Sequence, residues 1–335
     1  MWDCGAMSAA KLGITLPFEG VSLTEHRPLL QRLVDGGVTE IWTGEVAGLD
    51  GYGPLQLFAG WSDEITITCA VASVYTRGPA LLAMTAATMA ETAPGRCRFG
   101  IGAGSPVIAT SWNGARFERP YQKVVDTLHF LRETLAGEKA SDYQTVHGAG
   151  FRLARTVATP PKLLLGVAGP RMQDFAAADA DTMTLNFVSA SDVAAIRSRV
   201  ADVARTVDSE LEVAARIFVV PGARDGAEAA ARRFLAGYLT VPTYARFQDW
   251  LGRGPALAQM HEAWGRGDRR RAVEAIPDAT VRDLVVFGDP DACAVRIRAH
   301  FDAGLDVATL ALLPAAQPMV PQEQVDFVTA IAGHF

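Results

Sequence analysis

Eight short apolar runs, each passing into a helical pattern, constrain this 335-residue chain more than any single motif. The runs are Lys11–Leu16, Thr39–Thr43, Ile65–Ala72, Cys97–Gly102, Lys162–Val167, Thr182–Leu185, Val213–Val220 and Val307–Leu313. They are nearly continuous in apolar or β-branched residues, which marks strands buried on both faces. Helical patterns fall between and after them: from Ser22 or Thr24 to Val34, then Pro54–Gly60, Pro79–Ala93, Tyr121–Leu135, Arg171–Ala178, Ser191–Val207, Ala227–Leu239, Pro290–Ala303 and Gln322–Gly333. Several open on proline or a hydroxyl cap and close on glycine. Strand–helix alternation of this kind gives a parallel sheet, and eight units predict a (β/α)8 TIM barrel over an open sheet. No linker-like stretch divides the chain, so residues 11–335 read as one barrel domain and 1–10 as a disordered or extended segment, with Met7 a candidate start. The rhythm breaks twice. Residues 137–161 are polar and glycine-rich and predict an inserted hairpin after the fourth helix; residues 240–280 predict an extended, irregular insertion between strands seven and eight.

Hydrophobic residues make up 49% of the chain and charged residues 20%, enough apolar material for a large core. A net charge of −6 argues against a general nucleic-acid binder. No run reaches the ~20 apolar residues of a membrane span, and the first ten residues lack the basic and apolar regions of a signal peptide. Four scattered cysteines without a Cys-x-x-Cys spacing read as free thiols, and six isolated histidines offer no metal-ligand spacing. The expectation is a cytoplasmic protein acting on a small molecule, without nucleic acid, membrane or metal.

Ligands bind a parallel barrel at the C-terminal ends of its strands. Those ends read Gly44-Glu45-Val46, Ala72-Ser73-Val74, Gly102-Ala103-Gly104-Ser105, Ala168-Gly169-Pro170 and Asn186-Phe187. Small and apolar residues dominate, a rim suited to a large planar ligand that brings its own reactivity. The glycines of Cys97-Arg-Phe-Gly-Ile-Gly-Ala-Gly-Ser-Pro106 leave room for close approach of something flat, although a plain turn is the simpler reading and the spacing is not Gly-x-Gly-x-x-Gly. Ala168-Gly169-Pro170 enters a helix whose first amides suit a phosphate, or is an ordinary strand–helix turn. Glu45 is the carboxylate nearest the centre: a proton relay or cofactor contact, or a structural partner to an N–H or an arginine. Tyr52, Ser73, Tyr75 and Trp112 are candidate pocket walls, each with a packing role as the alternative. Arg269-Arg270-Arg271 is either a solvated run or a set of cations at the pocket mouth.

Taken together, Trp42-Thr-Gly-Glu45, Tyr75-Thr-Arg-Gly-Pro79, Gly95-Arg96 ahead of Phe99-Gly-Ile-Gly-Ala-Gly104, Trp112-Asn-Gly114, Phe117-Glu-Arg-Pro120, and Val167-Ala-Gly-Pro-Arg-Met172 with Ala180-Asp181 resemble the luciferase-like monooxygenase superfamily. Within it they resemble the coenzyme F420 (deazaflavin)-dependent oxidoreductases of actinobacteria. The resemblance implies a barrel holding an isoalloxazine-like ring over strands three and four, backed by a non-proline cis peptide at Cys69-Ala70. It places the ring edge at Ala103, Gly104 and Ser105, and the phosphate at Ala168, Gly169 and Pro170 and near Asn186 and Phe187. Relatives of this kind tend to pair as homodimers through barrel helices.

The chain also departs from the pattern. Sugar-phosphate dehydrogenases of this kind carry an Asp-His pair where Glu45-Val46 stands, and a Glu where Ser105 stands. The resemblance therefore implies reduction of a C=C or C=N bond more than oxidation of an alcohol. An FMN-dependent monooxygenase is the alternative, and a non-catalytic deazaflavin- or flavin-binding protein a third reading.

Overall fold

The computed structural model describes residues 10–222, 227–314 and 319–335, so the segment expected as an extension at 1–9 lies outside the described residues. In chain order it runs β1 (Lys11–Thr15), α1 (His26–Asp35), β2 (Glu40–Thr43), α2 (Gly53–Trp61), β3 (Thr66–Ser73), α3 (Pro79–Thr92), β4 (Cys97–Gly102) and α4 (Pro120–Leu135). Then come β5 (Lys162–Gly166), α5 (Pro170–Asp179), β6 (Thr182–Asn186), α6 (Ala190–Thr206) and β7 (Glu212–Pro221). The second half continues with α7 (Glu228–Leu239), α8 (Pro242–Trp250), α9 (Gly254–Gly265), α10 (Arg269–Glu274), α11 (Asp278–Leu284), β8 (Val285–Gly288), α12 (Pro290–Asp302), β9 (Val307–Leu312) and α13 (Pro321–Ala332).

Parallel pairing runs β1–β2–β3–β4–β5–β6–β7–β9 and closes on β1, so the eight expected strands form the barrel. The short β8 is an addition. It pairs with β7 at Phe218–Pro221, beyond the stretch Glu212–Arg216 that pairs with β6. Among the described residues no helix is long and apolar enough to cross a membrane.

Both expected insertions differ in kind from the sequence reading. The 137–161 segment does double back, with Ala140 N–H on Phe151 O, Gly150 N–H on Ala140 O and Tyr143 N–H on Val146 O. It makes no strand ladder, because Asp142 accepts from the Gly148 and Ala149 amides instead. The 240–280 segment is helical rather than irregular. Prolines at 242 and 255 start short helices, and Leu257, Met260 and Ala263 recur on one buried face. These helices pack with α7 into a second apolar cluster, with Phe187, Phe218 and Val220 at its barrel side.

Inside the barrel, inward positions stack in layers. The N-terminal end is plugged by charge. Arg98 Nη1 lies 2.8 Å from Glu40 Oε1, and its Nε lies 3.1 Å from Glu212 Oε2. Lys11 and Lys162 reach Glu212 at 2.6 and 3.3 Å, and Trp42 Nε1 donates to Glu40. Above this lie Trp42, Ala70, Leu164, Ala214 and Val307. Burial pushes the Glu212 carboxyl up, but Arg98 and Lys11 together outweigh it and hold the group at about 2.

Two outcomes follow from this interior. Replacing Arg98 with leucine strands the buried Glu40 carboxylate and is expected to cost about 3–5 kcal/mol in chemical denaturation at neutral pH. The contribution of Glu212 is complete above its ordinary value of 4.5 and fades as pH falls toward about 2; that acid-limb loss of stability should be weaker in Glu212→Gln.

Candidate functional site

The mouth is shaped by an irregularity in β3. Its register with β4 runs Cys69 to Phe99 and then jumps to Ala72 with Ile101, so Ala70 and Val71 bulge out of the ladder. The Ala70–Val71 peptide is cis, one bond later than the Cys69-Ala70 position implied by the resemblance. Spacing back from Gly78-Pro79 gave no means of fixing the bond to the residue.

The alternating glycines of β4 fit this bulge. A Cβ at position 100 would lie 2.0 Å from the Cys69 carbonyl oxygen. One at 102 would lie 2.8 Å from the Val71 side chain, and one at Gly166 in β5 would lie 3.1 Å from it. The nearest bulky body that these glycines admit is thus the chain's own third strand. The Ala70 carbonyl turns to the barrel axis, where Arg216 Nη2 donates to it at 3.0 Å. Val71, Gly44, Gly166, Asn186 and Arg216 are all partly exposed and make the floor of the mouth.

Glu45 is held tightly. Its carboxylate accepts from the Gly51 amide at 3.0 Å and from Arg77 through both Nε and Nη2. Arg77 also lies 3.7 Å from Asp50 and stands over the Tyr52 ring at 4.8 Å. This clamp joins the loop after β2 to the loop after β3. Of the roles left open by the sequence, the geometry displays the structural one: a carboxylate paired with an arginine and a backbone amide.

The expected wall residues divide. Tyr52 is only 3% exposed and stacks on Phe99 at 5.0 Å, so it is a layer beneath the clamp rather than an open wall. Its hydroxyl lies beside the Cys69 thiol and is pushed well up by burial. Ser73 is buried too, donating to Ala103 O at 2.9 Å and accepting from Tyr75 N, and thereby fixing the edge at Ala103 and Gly104. Ser105 Oγ accepts from Ile108 N and caps the next turn. Tyr75 bonds the Glu118 carbonyl and packs on Phe117; with Arg77, Arg116, Arg119 and Lys123 it lines a cleft of about 540 Å³. Trp112 is 55% exposed at the end of the Val107–Trp112 turn.

Ala168 and Gly169 lead into α5 with Pro170 at its first turn, and all three are partly exposed. Gln173 Nε2 donates back to Ala168 O at 2.6 Å. One end of the Asn186 amide bonds Tyr244 Oη at 3.3 Å. Phe187 does not face the mouth: at φ 58° it turns into a buried aromatic cluster, stacked on Phe218 at 4.7 Å and edged by Tyr244 at 5.0 Å. The Arg269–Arg271 run lies on α10, where Arg269 stacks on Trp264 at 3.8 Å and Arg270 is 90% exposed. Sequence reasoning missed Arg216; the available signal was one charged residue inside the apolar run Val-Ala-Ala-Arg-Ile-Phe-Val-Val.

Closed parallel barrel, bulged third strand and small-residue rim define a (β/α)8 barrel with its candidate site at the C-terminal face. The luciferase-like monooxygenase family profile matches residues 6–307, and the chain belongs to that family of enzymes. It is 25% identical, over 84% of its own length and 89% of the relative's, to a Mycobacterium tuberculosis protein named provisionally as a coenzyme F420-dependent oxidoreductase. In fold it is similar to the coenzyme F420-dependent tetrahydromethanopterin reductase of Methanopyrus kandleri, with a TM-score of 0.77, 19% identity and coverage of 96% and 97% of the two chains. It is also similar to the FMN-bound oxygenating component of 3,6-diketocamphane monooxygenase from Pseudomonas putida, with a TM-score of 0.64, 16% identity and 96% of each chain covered.

Burial pushes the thiols of Cys69, Cys97 and Cys293 each up to about 12. All three should therefore resist a thiol reagent in the native protein and react only on unfolding, as peptide mass spectrometry would show. The glycine fit has its own test. Gly100→Ala should cost about 3 kcal/mol or more, because its methyl meets backbone, and Gly102→Ala less, because it meets a side chain.

Proposed function

We propose that the chain is a coenzyme F420-dependent oxidoreductase that moves a hydride between the deazaflavin and an organic substrate, reducing an activated C=C or C=N bond. The observation that carries this reading is the shape of the mouth. A bulged β3 backbone, the small edges Ala103–Ser105 and Ala168–Pro170, and a floor kept low by glycine make a slot for a flat ring. Gly44 illustrates the fit: a Cβ there would reach within 3.2 Å of the Ala70 carbonyl and 3.5 Å of Arg216. The name of the mycobacterial relative supports F420 as the ring.

On this reading Cys69 and Ala70 back the ring, Ala103, Gly104 and Ser105 edge it, and Ala168, Gly169 and Pro170, with the backbone at Asn186 and Phe187, take the phosphate. The bound deazaflavin supplies hydride at its C5. The chain's own residues shape the slot and hold it still. Ser73 anchors the Ala103 edge, and the Glu45–Arg77 clamp fixes the two loops beside it. The clamp makes Glu45 a positioning residue. Its carboxylate is committed to an arginine and a backbone amide. Tyr75 and Trp112 stand outside the floor and would meet substrate or cofactor only at the rim.

The fold is shared with FMN-dependent oxygenases, so FMN is the second reading. Fluorescence titration of the purified protein with F420 and with FMN separates them. Saturable F420 binding and turnover of a panel of enones and imines are expected; tight FMN binding with none for F420 would sink the proposal. Glu45→Gln is expected to lower stability by about 1–3 kcal/mol and weaken F420 binding, with the pH profile of turnover unchanged in shape. Loss of one limb of that profile would instead make Glu45 the proton relay.

A further inference from the structure

Among the described residues, no carboxylate pairs with the guanidinium of Arg216 inside this barrel. Arg216 is the third inward position of β7, above Glu212 in the charged plug and Ala214 in the apolar layer. Its Nη2 donates to the Ala70 carbonyl, and its buried Nε has no partner. The titratable groups acting on it are Tyr244, Tyr238 and Cys69, none of them a carboxylate. Elsewhere the chain pairs its buried cations: Arg98 with Glu40 and Glu212, and Arg253 with Asp192 at 2.7 Å. A buried charge left without a counterion is costly to the fold, so a counterion supplied from outside is the economical account.

The neighbours on either side are also unsatisfied. Asn186 of β6 and Thr309 of β9 are the register partners of Arg216. Among the described residues Asn186 Oδ1 and the Thr309 hydroxyl, both buried, have no hydrogen-bond partner, so unsatisfied polar atoms lie at one level on three adjacent strands. Arg216 and Asn186 are partly exposed to the mouth, while the half-buried rings of Tyr238 and Tyr244 stand beside them. A single planar guanidinium with free N–H groups matches a monoanionic, planar carboxylate. The aromatic faces suit an apolar body attached to it.

We propose that Arg216 is the receptor for a substrate carboxylate, and that the chain acts on a carboxylate-bearing unsaturated molecule whose apolar part lies against Tyr238 and Tyr244. The carboxylate site stands on the geometry alone; the word substrate rests on the oxidoreductase reading above. As a binding residue, Arg216 holds the acid group while the unsaturated carbons extend toward the β3 bulge.

The probes are cinnamate and its neutral isostere cinnamamide, measured by calorimetry on the purified protein with and without added F420. The wild-type protein is expected to bind cinnamate at least about tenfold more tightly than cinnamamide, the discrimination typical of a charge-assisted hydrogen bond. Arg216→Met should remove that preference while leaving cinnamamide binding unchanged, and Arg216→Lys should retain part of it. Arg216→Met should also melt no lower than wild type, because it removes an unpaired buried charge; a purely structural tie to the Ala70 carbonyl would lower the melting temperature. Absence of a carboxylate preference in the wild type under both conditions, or its survival in Arg216→Met, overturns the proposal. Should Arg216→Met not fold, the wild-type comparison and Arg216→Lys decide. F420 binding by the wild type is read separately, so failure of the carboxylate site and failure of the F420 reading are told apart.

Discussion

The bulge of β3 at Ala70 and Val71 is the feature on which the rest of the mouth depends. A strand that leaves its ladder must put a carbonyl and a side chain somewhere. Here Cys69 O presses where a Cβ on β4 would stand, and Val71 fills the space over two further glycines. The freed Ala70 carbonyl finds a donor across the barrel in Arg216. One local displacement thus explains the glycine spacing of β4 and the glycine at the end of β5. Glycine is required at 100 because its neighbour is backbone, which cannot rotate away.

The two ends of the barrel use the same residue type in opposite ways. Arg98 at the N-terminal end is enclosed by two glutamates and two lysines that close the interior to solvent. That arrangement commits every charge and leaves nothing to a ligand. Arg216, two layers higher, is bonded to one carbonyl and open to the mouth. Stability is concentrated at one end and binding capacity at the other, as expected for a fold whose C-terminal face carries function.

Most of the architecture was legible because it rests on period and punctuation. Runs such as Lys162–Val167 and Val307–Leu313 are too apolar to lie anywhere but a doubly covered sheet, and Pro79 and Pro170 mark helix starts. The helices of 242–284 were not legible, because each is short and its apolar face is shared between other local helices and one edge of the barrel. The site was legible in place but not in partnership. Glu45 reads as a lone acid at a strand end; only the fold brings Arg77, 32 residues on, against it. Phe187 reads as a rim residue because it follows β6, yet a left-handed backbone turns its ring into the core. Contacts between distant segments decide such cases, and single-sequence periodicity carries no record of them.

Charge accounting at the mouth bears on the reduction proposed above. Glu45 and Arg77 cancel each other at one side. Arg216 at the floor is uncancelled among the described residues. The local field therefore favours a molecule that arrives with negative charge or gains it as the reaction proceeds. Delivery of hydride to an unsaturated carbon adds negative charge to the substrate, whereas removal of hydride from an alcohol requires a base to take the proton. On the proposed reading, a floor with a cation uncancelled among the described residues and a carboxylate already bound to arginine is consistent with the first of these.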